Sequence, residues 1–250
     1  MSPLIDDSQI HVILLDIEGT TTPVDFVYKT LFPYARHRVE SFIREHYRDS
    51  ETQALLAELR SQHEREESDE AQPPSWHDQT DDTRIHSVVK YVHWLMDRDR
   101  KGTPLKTLQG KIWQEGYERG ELRGQVYVDV PSAFARWRAQ GREICIYSSG
   151  SELAQQLLFR STAAGDLTVY ISAYFDTRIG AKTEASSYMK IAESLHRKSN
   201  EVLFISDAVK EIDAARLASM QTLLCMRDTT APVVASVGKI VGTFDEVLPG

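Results

Sequence analysis

The sequence predicts an α/β protein, a parallel sheet with helices on both faces, carrying a helical insertion after its first strand. Three observations predict it. Short apolar runs ending on polar residues recur along the chain, helix-period stretches separate them in the C-terminal half, and residues 26–122 show helical period with almost no strand-like run. Strands apolar on both faces and alternating with helices indicate a parallel sheet that is covered on both sides.

The elements follow in order. Ile10 to Leu15 reads Ile-His-Val-Ile-Leu-Leu and stops on Asp16, and Ile-Glu18-Gly-Thr-Thr-Thr-Pro continues as a turn. In the insertion, Ile85, Val88, Val89, Val92, Leu95 and Met96 recur at three- and four-residue spacing, as Leu31, Val39, Phe42 and Ile43 do more loosely, so both stretches are amphipathic helices. Between them, residues 64–82 are charged, proline-broken and without period, which predicts a loop or mobile linker. Beyond the insertion, a helix is expected over Ser132 to Gln140. A strand over 143–147 ends on Ser148 and Ser149, and a helix follows over Glu152 to Ser161. Helices over Glu184 to Arg197 and Val209 to Met220 flank the strand Val202 to Ile205, which ends on Ser206 and Asp207. A fourth strand, Thr222 to Met226, ends on Arg227 and Asp228. The economical division is a core of residues 1–25 and 123–250 and an all-helical domain of residues 26–122, without internal repeats.

Composition narrows the function classes. Against 29 Lys and Arg stand 37 Asp and Glu, a net charge of -8, which disfavours nucleic acid because phosphate backbones require concentrated positive charge. The same charge repels anionic small molecules, so a phosphate substrate needs a local cation or placed basic residues. Apolar runs stop far short of the ~20 residues that cross a bilayer. The N-terminus lacks a basic start and an apolar signal stretch, so the cytoplasm is the expected compartment, with the nucleus open to a 28.4 kDa chain in a eukaryote. Cys145 and Cys225 each sit in an apolar run and read as buried free thiols. A monomer is expected.

In open parallel sheets ligands collect beyond the carboxyl ends of the strands. The polar residues there are Asp16 with Glu18, Ser148 with Ser149, and Asp207 with Glu211; Lys182 joins them from the loop 178–183 ahead of a helix. Carboxylates, hydroxyls and one amine suit aspartyl phosphoryl transfer to and from a magnesium-bound phosphate. Other features carry less. His86 and His93 lie seven apart without a third zinc ligand, Gly116, Gly120 and Gly124 lack the strand of a dinucleotide fingerprint, and Gly180-Ala-Lys182-Thr183 lacks a Walker A glycine. Trp94, Trp113 and Trp137 are expected in the core.

Asp16-Ile-Glu18-Gly-Thr-Thr, Tyr-Ser148-Ser149-Gly-Ser, Gly-Ala-Lys182-Thr-Glu and Ile-Ser-Asp207-Ala-Val-Lys-Glu211 resemble the four ordered motifs of the haloacid dehalogenase-like phosphatases. Most of that superfamily has Asp where this chain has Glu18. That departure, Leu-Phe-Pro-Tyr (31–34) and Ile-Tyr-Ser-Ser-Gly-Ser (146–151) resemble one branch, the enolase-phosphatases of methionine salvage. The resemblance implies a Rossmann-like core with an inserted all-helical cap, and roles for the site residues. Asp16 would be nucleophile and magnesium ligand. Glu18 would bind metal by side chain or backbone and serve as general acid and base. Ser148, Ser149 and Lys182 would bind the substrate phosphate, Asp207 the Mg2+, and Glu211 would stand behind it. Helix capping is the structural alternative for the two serines. The implied reaction is enolisation of 5-methylthio-2,3-dioxopentyl phosphate and hydrolysis of the enol phosphate to 1,2-dihydroxy-5-methylthiopent-1-en-3-one, with the enolisation base left open. The alternatives are a related phosphatase without the enolase step and a receiver domain; the helical insertion and the late Asp207 disfavour the second.

Overall fold

The computed structural model describes residues 7–67, 72–100, 102–227 and 239–249. Along the chain run β1 (Val12–Leu15), α1 (Val24–Phe26), α2 (Phe32–Glu45), α3 (Ser50–Glu67), α4 (Asp81–Asp97) and α5 (Thr103–Glu118). Then come α6 (Val130–Ala139), β2 (Glu143–Tyr147), α7 (Glu152–Arg160), β3 (Ile171–Phe175), α8 (Ala185–Ser194), β4 (Val202–Ser206), α9 (Val209–Leu217), β5 (Gln221–Cys225) and β6 (Ile240–Val241). The chain divides into two compact units, residues 1–27 with 123–250, and residues 28–122.

In the first unit the strands form one parallel sheet in the order β3-β2-β1-β4-β5-β6. The order reverses at β1: the chain moves outward through β2 and β3, then returns to add β4 on the other side. The ends of β1 and β4 therefore flank the crevice where open α/β sheets bind ligands. All four residues of β1 and all five of β4 are buried, as their unbroken apolar runs require. Val12, Leu14, Cys145, Tyr147 and Phe204 meet Tyr188 and Ile191 of α8 and Ile212 and Ala215 of α9 on one face. Alternation turns Ile13, Leu15, Ile144 and Ile146 to the other face. There Phe134 and Trp137 of α6 and Phe159 of α7 pack ring against ring. Burying each such side chain contributes roughly 1.5–3 kcal/mol.

The sheet has two strands more than the four expected. β3, Ile-Ser-Ala-Tyr-Phe, lies at the sheet edge and is only partly buried, so it lacks the apolar continuity that marks the central strands. β6 is two residues long, too short to leave a periodic signal. Of the polar pair expected after β5, Asp228 lies outside the described residues. Cys145 and Cys225 are free and buried, and burial pushes both thiols up to about 12.

The second unit is helical. Apolar positions such as Val39, Phe42 and Ile43 of α2, Leu55 and Leu59 of α3, Val88, Val92 and Leu95 of α4, and Leu108 and Ile112 of α5 are buried. Thr80 opens α4 with a reciprocal capping box to Thr83. The expected loop over 64–82 needs correction at both ends. Residues 64–67 belong to α3, where Arg60 and Glu64 pair at 3.0 Å one turn apart, and α4 begins at Asp81. Residues 72–78 are irregular but anchored: His63 Nε2 meets Pro74 O at 2.7 Å, Trp76 packs on His63 and Tyr91, and Ser87 Oγ accepts from His77 N. Residues 68–71 lie outside the described ones. Trp113 and Trp137 are core residues whose indole N–H groups reach the carbonyls of Leu31 and Val247. Trp94 departs from the expectation: it is half-buried, stacked on Tyr91 with the Arg98 guanidinium over its ring. Among the described residues no helix is long and apolar enough to cross a membrane.

Candidate active site

β1 ends on Asp16, 3% exposed, and the chain turns at once. The amides of Thr20, Thr21 and Thr22 converge on the carbonyl of Ile17 at 3.2, 3.0 and 2.9 Å, and Gly19 N donates to Thr22 O at 2.8 Å. Gly19 makes this turn at φ +73°, and its bare Cα lies against Asp207: a Cβ there would fall 2.1 Å from Asp207 Oδ2. Thr20 Oγ1 accepts from Asp207 N at 3.0 Å, tying the turn to the end of β4.

Lys182 closes the site from the loop before α8. Its Nζ lies 2.5 Å from Asp16 Oδ1 and 2.7 Å from Glu211 Oε2, and Ser206 Oγ donates to Glu211 Oε2 at 2.9 Å. Three consecutive carbonyls of this loop each accept a hydroxyl: Gly180 from Tyr147 at 2.9 Å, Ala181 from Ser187 at 2.8 Å and Lys182 from Tyr188 at 2.7 Å. Gly180 has φ +148°, and a Cβ there would sit 2.2 Å from Ser187 Oγ. The aromatic pair that packs the sheet face thus also fixes the backbone of Lys182.

The charges in this unit are unequal. Burial raises the pKa of Glu18, and the Asp16 carboxylate raises it further, against the pull of Lys182. Burial and Asp16 raise Glu211 too. Asp207 remains open to solvent, yet loss of water on its protein side and the charges of Asp16 and Glu211 push it up to about 7. Burial alone would depress Lys182, but Asp16 and Glu211 outweigh it and raise its pKa, so the amine is charged. Four carboxyl groups thus stand around one ammonium, an arrangement with oxygen donors left over for a cation. The donors are all oxygens, which suits a hard ion such as magnesium and gives zinc neither thiolate nor imidazole.

Asp16, Glu18, Lys182, Asp207 and Glu211 therefore stand near one another at the ends of β1 and β4. Ser148 and Ser149 stand beyond the end of β2, beside β1, but no hydrogen bond among the described residues joins Ser148 to the carboxylates. Ser148 N donates to Phe175 O, and its Oγ accepts from Gly150 N at 3.2 Å. Neither serine is the helix cap, because Ser151 Oγ takes that place by accepting from Ala154 N. Gln155, 1% exposed, steadies the serine loop by donating to Gly150 O and Phe175 O, both at 2.9 Å. Sequence reasoning missed Ser206, Thr20, Gln155 and the three hydroxyls below Lys182. Ser206 had a signal, standing beside Asp207 at a strand end; the hydroxyls had none, since only folding brings them to that loop.

In the helical unit Glu45, His46 and Glu115 also bring oxygen and nitrogen atoms within reach of one ion. Their charges already meet partners: Arg119 pairs with both glutamates at 3.1 Å, and His46 lies between Glu115 and Asp49. The Asp49 hydrogen bond, aided by Glu115, raises the His46 pKa despite burial, so the imidazole favours holding its proton. His93, for its part, contacts Arg36 O through Nε2 at 3.1 Å.

The family model for haloacid dehalogenase-like hydrolases matches residues 10–219. Enolase-phosphatase E1 of Synechococcus elongatus is 49% identical over 238 residues, covering 95% of this chain and 98% of its own length. The protein of the same name from Methylococcus capsulatus is 47% identical over 240 residues, 96% of this chain and 98% of its own. Among solved structures, the UTR4 protein of Saccharomyces cerevisiae superposes with a TM-score of 0.77 at 33% identity, over 94% of this chain and 99% of that one. With such identity over nearly the whole length and the family model matching most of the chain, the chain belongs to the enolase-phosphatase E1 family of the haloacid dehalogenase-like hydrolases.

Proposed function

We propose that this chain is a magnesium-dependent enolase-phosphatase that enolises 5-methylthio-2,3-dioxopentyl phosphate and then hydrolyses the enol phosphate to 1,2-dihydroxy-5-methylthiopent-1-en-3-one and phosphate. The observation that carries the reading is the buried Asp16 carboxylate at the end of the central strand, 2.5 Å from the Lys182 ammonium. Enolisation moves a proton from the carbon bearing the ester to a base and leaves negative charge on the neighbouring carbonyl oxygen, which a buried ammonium such as Lys182 stabilises. In the second step an Asp16 oxygen attacks phosphorus, the ester P–O bond breaks, and the enol oxygen leaves with a proton. The raised pKa of Glu18 supports it as the donor of that proton. Water then attacks the aspartyl phosphate, Glu18 takes up the proton, and the Asp16 carboxylate returns. Magnesium held by Asp16, Glu18 and Asp207 would neutralise the phosphate oxygens when bound.

In this reading Ser148 and Ser149 bind phosphate oxygens, and Glu211 positions Lys182, which it contacts at 2.7 Å. The reading also takes residues 1–25 and 123–250 as the catalytic core and 26–122 as the cap, in a monomeric cytoplasmic enzyme whose partner is a small phosphorylated substrate. Incubation with the synthetic diketone phosphate and magnesium, following enol by ultraviolet absorbance and phosphate release together, tests it. Both signals should appear, and EDTA should abolish phosphate release. Phosphate without any enol species would overturn the enolase step and leave a phosphatase. Silence in both would overturn the reading.

A further inference from the structure

Arg227 follows β5, far from Asp16 in sequence, and its side chain is 9% exposed. Its Nε and Nη2 donate to the carbonyl oxygen of Thr20 at 2.9 and 2.7 Å. Its Nη1 donates to Asp129 Oδ2 at 2.6 Å, and that same oxygen accepts from Thr243 Oγ1 and Phe244 N. The guanidinium carbon lies over the rings of Tyr127 and Phe244, 4.3 and 4.4 Å from their centroids. Tyr127 N reaches the next carbonyl of the turn, Thr21 O, at 3.0 Å. A buried guanidinium is an expensive way to hold a turn, and among the described residues no hydrogen bond or ion pair joins Arg227 to Lys182, Ser148 or Glu211.

What it does hold is Thr20. That residue is fully buried, and its Oγ1 accepts from Asp207 N at 3.0 Å. Thr20 is thus gripped through its carbonyl on one side and grips the backbone of Asp207 on the other. We propose that Arg227 is a positioning residue for metal binding, setting the separation of Asp16 and Asp207 by fixing Thr20, which bridges their two loops. The inference rests on the reading above that Asp16 and Asp207 hold magnesium. The shape of the contact explains the residue type. One carbonyl takes two donors from a rigid fork while a third donor reaches Asp129, and the guanidinium carbon lies over two aromatic rings; an ammonium lacks the fork. Burial would raise the pKa of Asp129, but the hydrogen bonds from Arg227 and Phe244 N outweigh it and hold the carboxyl below its ordinary value, so the pair is ionised.

The test measures magnesium binding directly by isothermal titration calorimetry, without substrate, beside phosphate-release kinetics. It uses wild type, Arg227→Lys, Thr20→Val and the double variant. Outer partners of metal ligands are worth about 10–100-fold in affinity, so Arg227→Lys should weaken magnesium binding by about that factor. It should also lower kcat with little change in KM for the phosphate ester. Because Arg227 acts through Thr20, the double variant should bind magnesium no worse than the weaker single one. Wild-type affinity in Arg227→Lys, or multiplicative losses in the double variant, would overturn the inference. Should Arg227→Lys fail to fold, Asp129→Asn and Thr20→Val carry the test: the first loosens the guanidinium and the second removes the hydroxyl at nearly constant volume. Normal magnesium affinity in both would overturn it equally. A wild-type chain that binds no magnesium would overturn the functional reading itself, an outcome visible before any variant is made.

Discussion

A single methyl group at Gly19 should separate binding of the metal from integrity of the fold. In Gly19→Ala the new Cβ would lie 2.1 Å from Asp207 Oδ2, 2.6 Å from Cγ and 3.3 Å from Cβ. Real contacts of this kind do not fall below 3.0 Å, so the carboxylate must retreat by about 0.9 Å, the difference between 3.0 and 2.1. Because Asp207 Cβ is also near, relief comes from turning the carboxylate away from Gly19 and out of its present position. Misplacement of about 1 Å can cost on the order of 100-fold in rate. The left-handed conformation adds roughly 1–2 kcal/mol of strain for alanine. In a chain of this size that lowers the melting temperature by about 2–8 °C, leaving the protein folded at assay temperature. The assay is phosphate release across a magnesium titration, paired with thermal melting in EDTA. We expect a fall of about 100-fold in kcat and a raised magnesium requirement with only that modest melting shift. Wild-type turnover and magnesium response in a folded Gly19→Ala protein would refute the placement of Asp207 in the site.

Asp16→Asn should abolish phosphate release while the enol phosphate accumulates, seen as ultraviolet absorbance without free phosphate; loss of both signals with metal binding retained would assign Asp16 to proton transfer as well. For Asp207 the sign of the pH effect follows from its raised pKa of about 7 in the folded chain against an ordinary 3.8. The folded state binds more protons between those values, so without metal the Asp207 contribution is present below pH ~4 and is lost as pH rises through ~7. Thermal melts in EDTA should show Asp207→Asn close to wild type at pH 4 and more stable than wild type at pH 8; a gap that does not grow with pH would contradict the shift. Tyr188→Phe leaves Lys182 O without its buried donor. It should cost about 1–3 kcal/mol by denaturant titration and lower kcat, whereas unchanged kcat would make that hydroxyl purely structural.

The central strands were legible because burial on both faces demands unbroken apolar runs, and β1, β2, β4 and β5 display them. The edge strands were not. β3 faces solvent on part of its surface and needs no such run, and β6 is shorter than any period. The residues of the site were legible for a related reason: a polar residue that ends a buried strand has few structural uses, and Asp16, Ser148 and Asp207 each do so. The helical stretch 64–67 carries charges that resemble a solvated loop in sequence, while the Arg60–Glu64 pair, one turn apart, supports a helix.

By itself the sequence determined which chemistry the chain can offer and at which edge of the sheet, since both follow from local order: an apolar run, then a carboxylate, then a tight turn. Only the tertiary structure decided how those groups stand to one another. Lys182 lies 166 residues from the Asp16 it contacts, and its backbone is set by hydroxyls on β2 and α8. Thr20 is gripped by Arg227 across 207 residues. Such contacts leave no trace in spacing or period, because they are made by strand order and crossover, and a hydrogen bond closed by the fold carries no memory of the chain length between its ends.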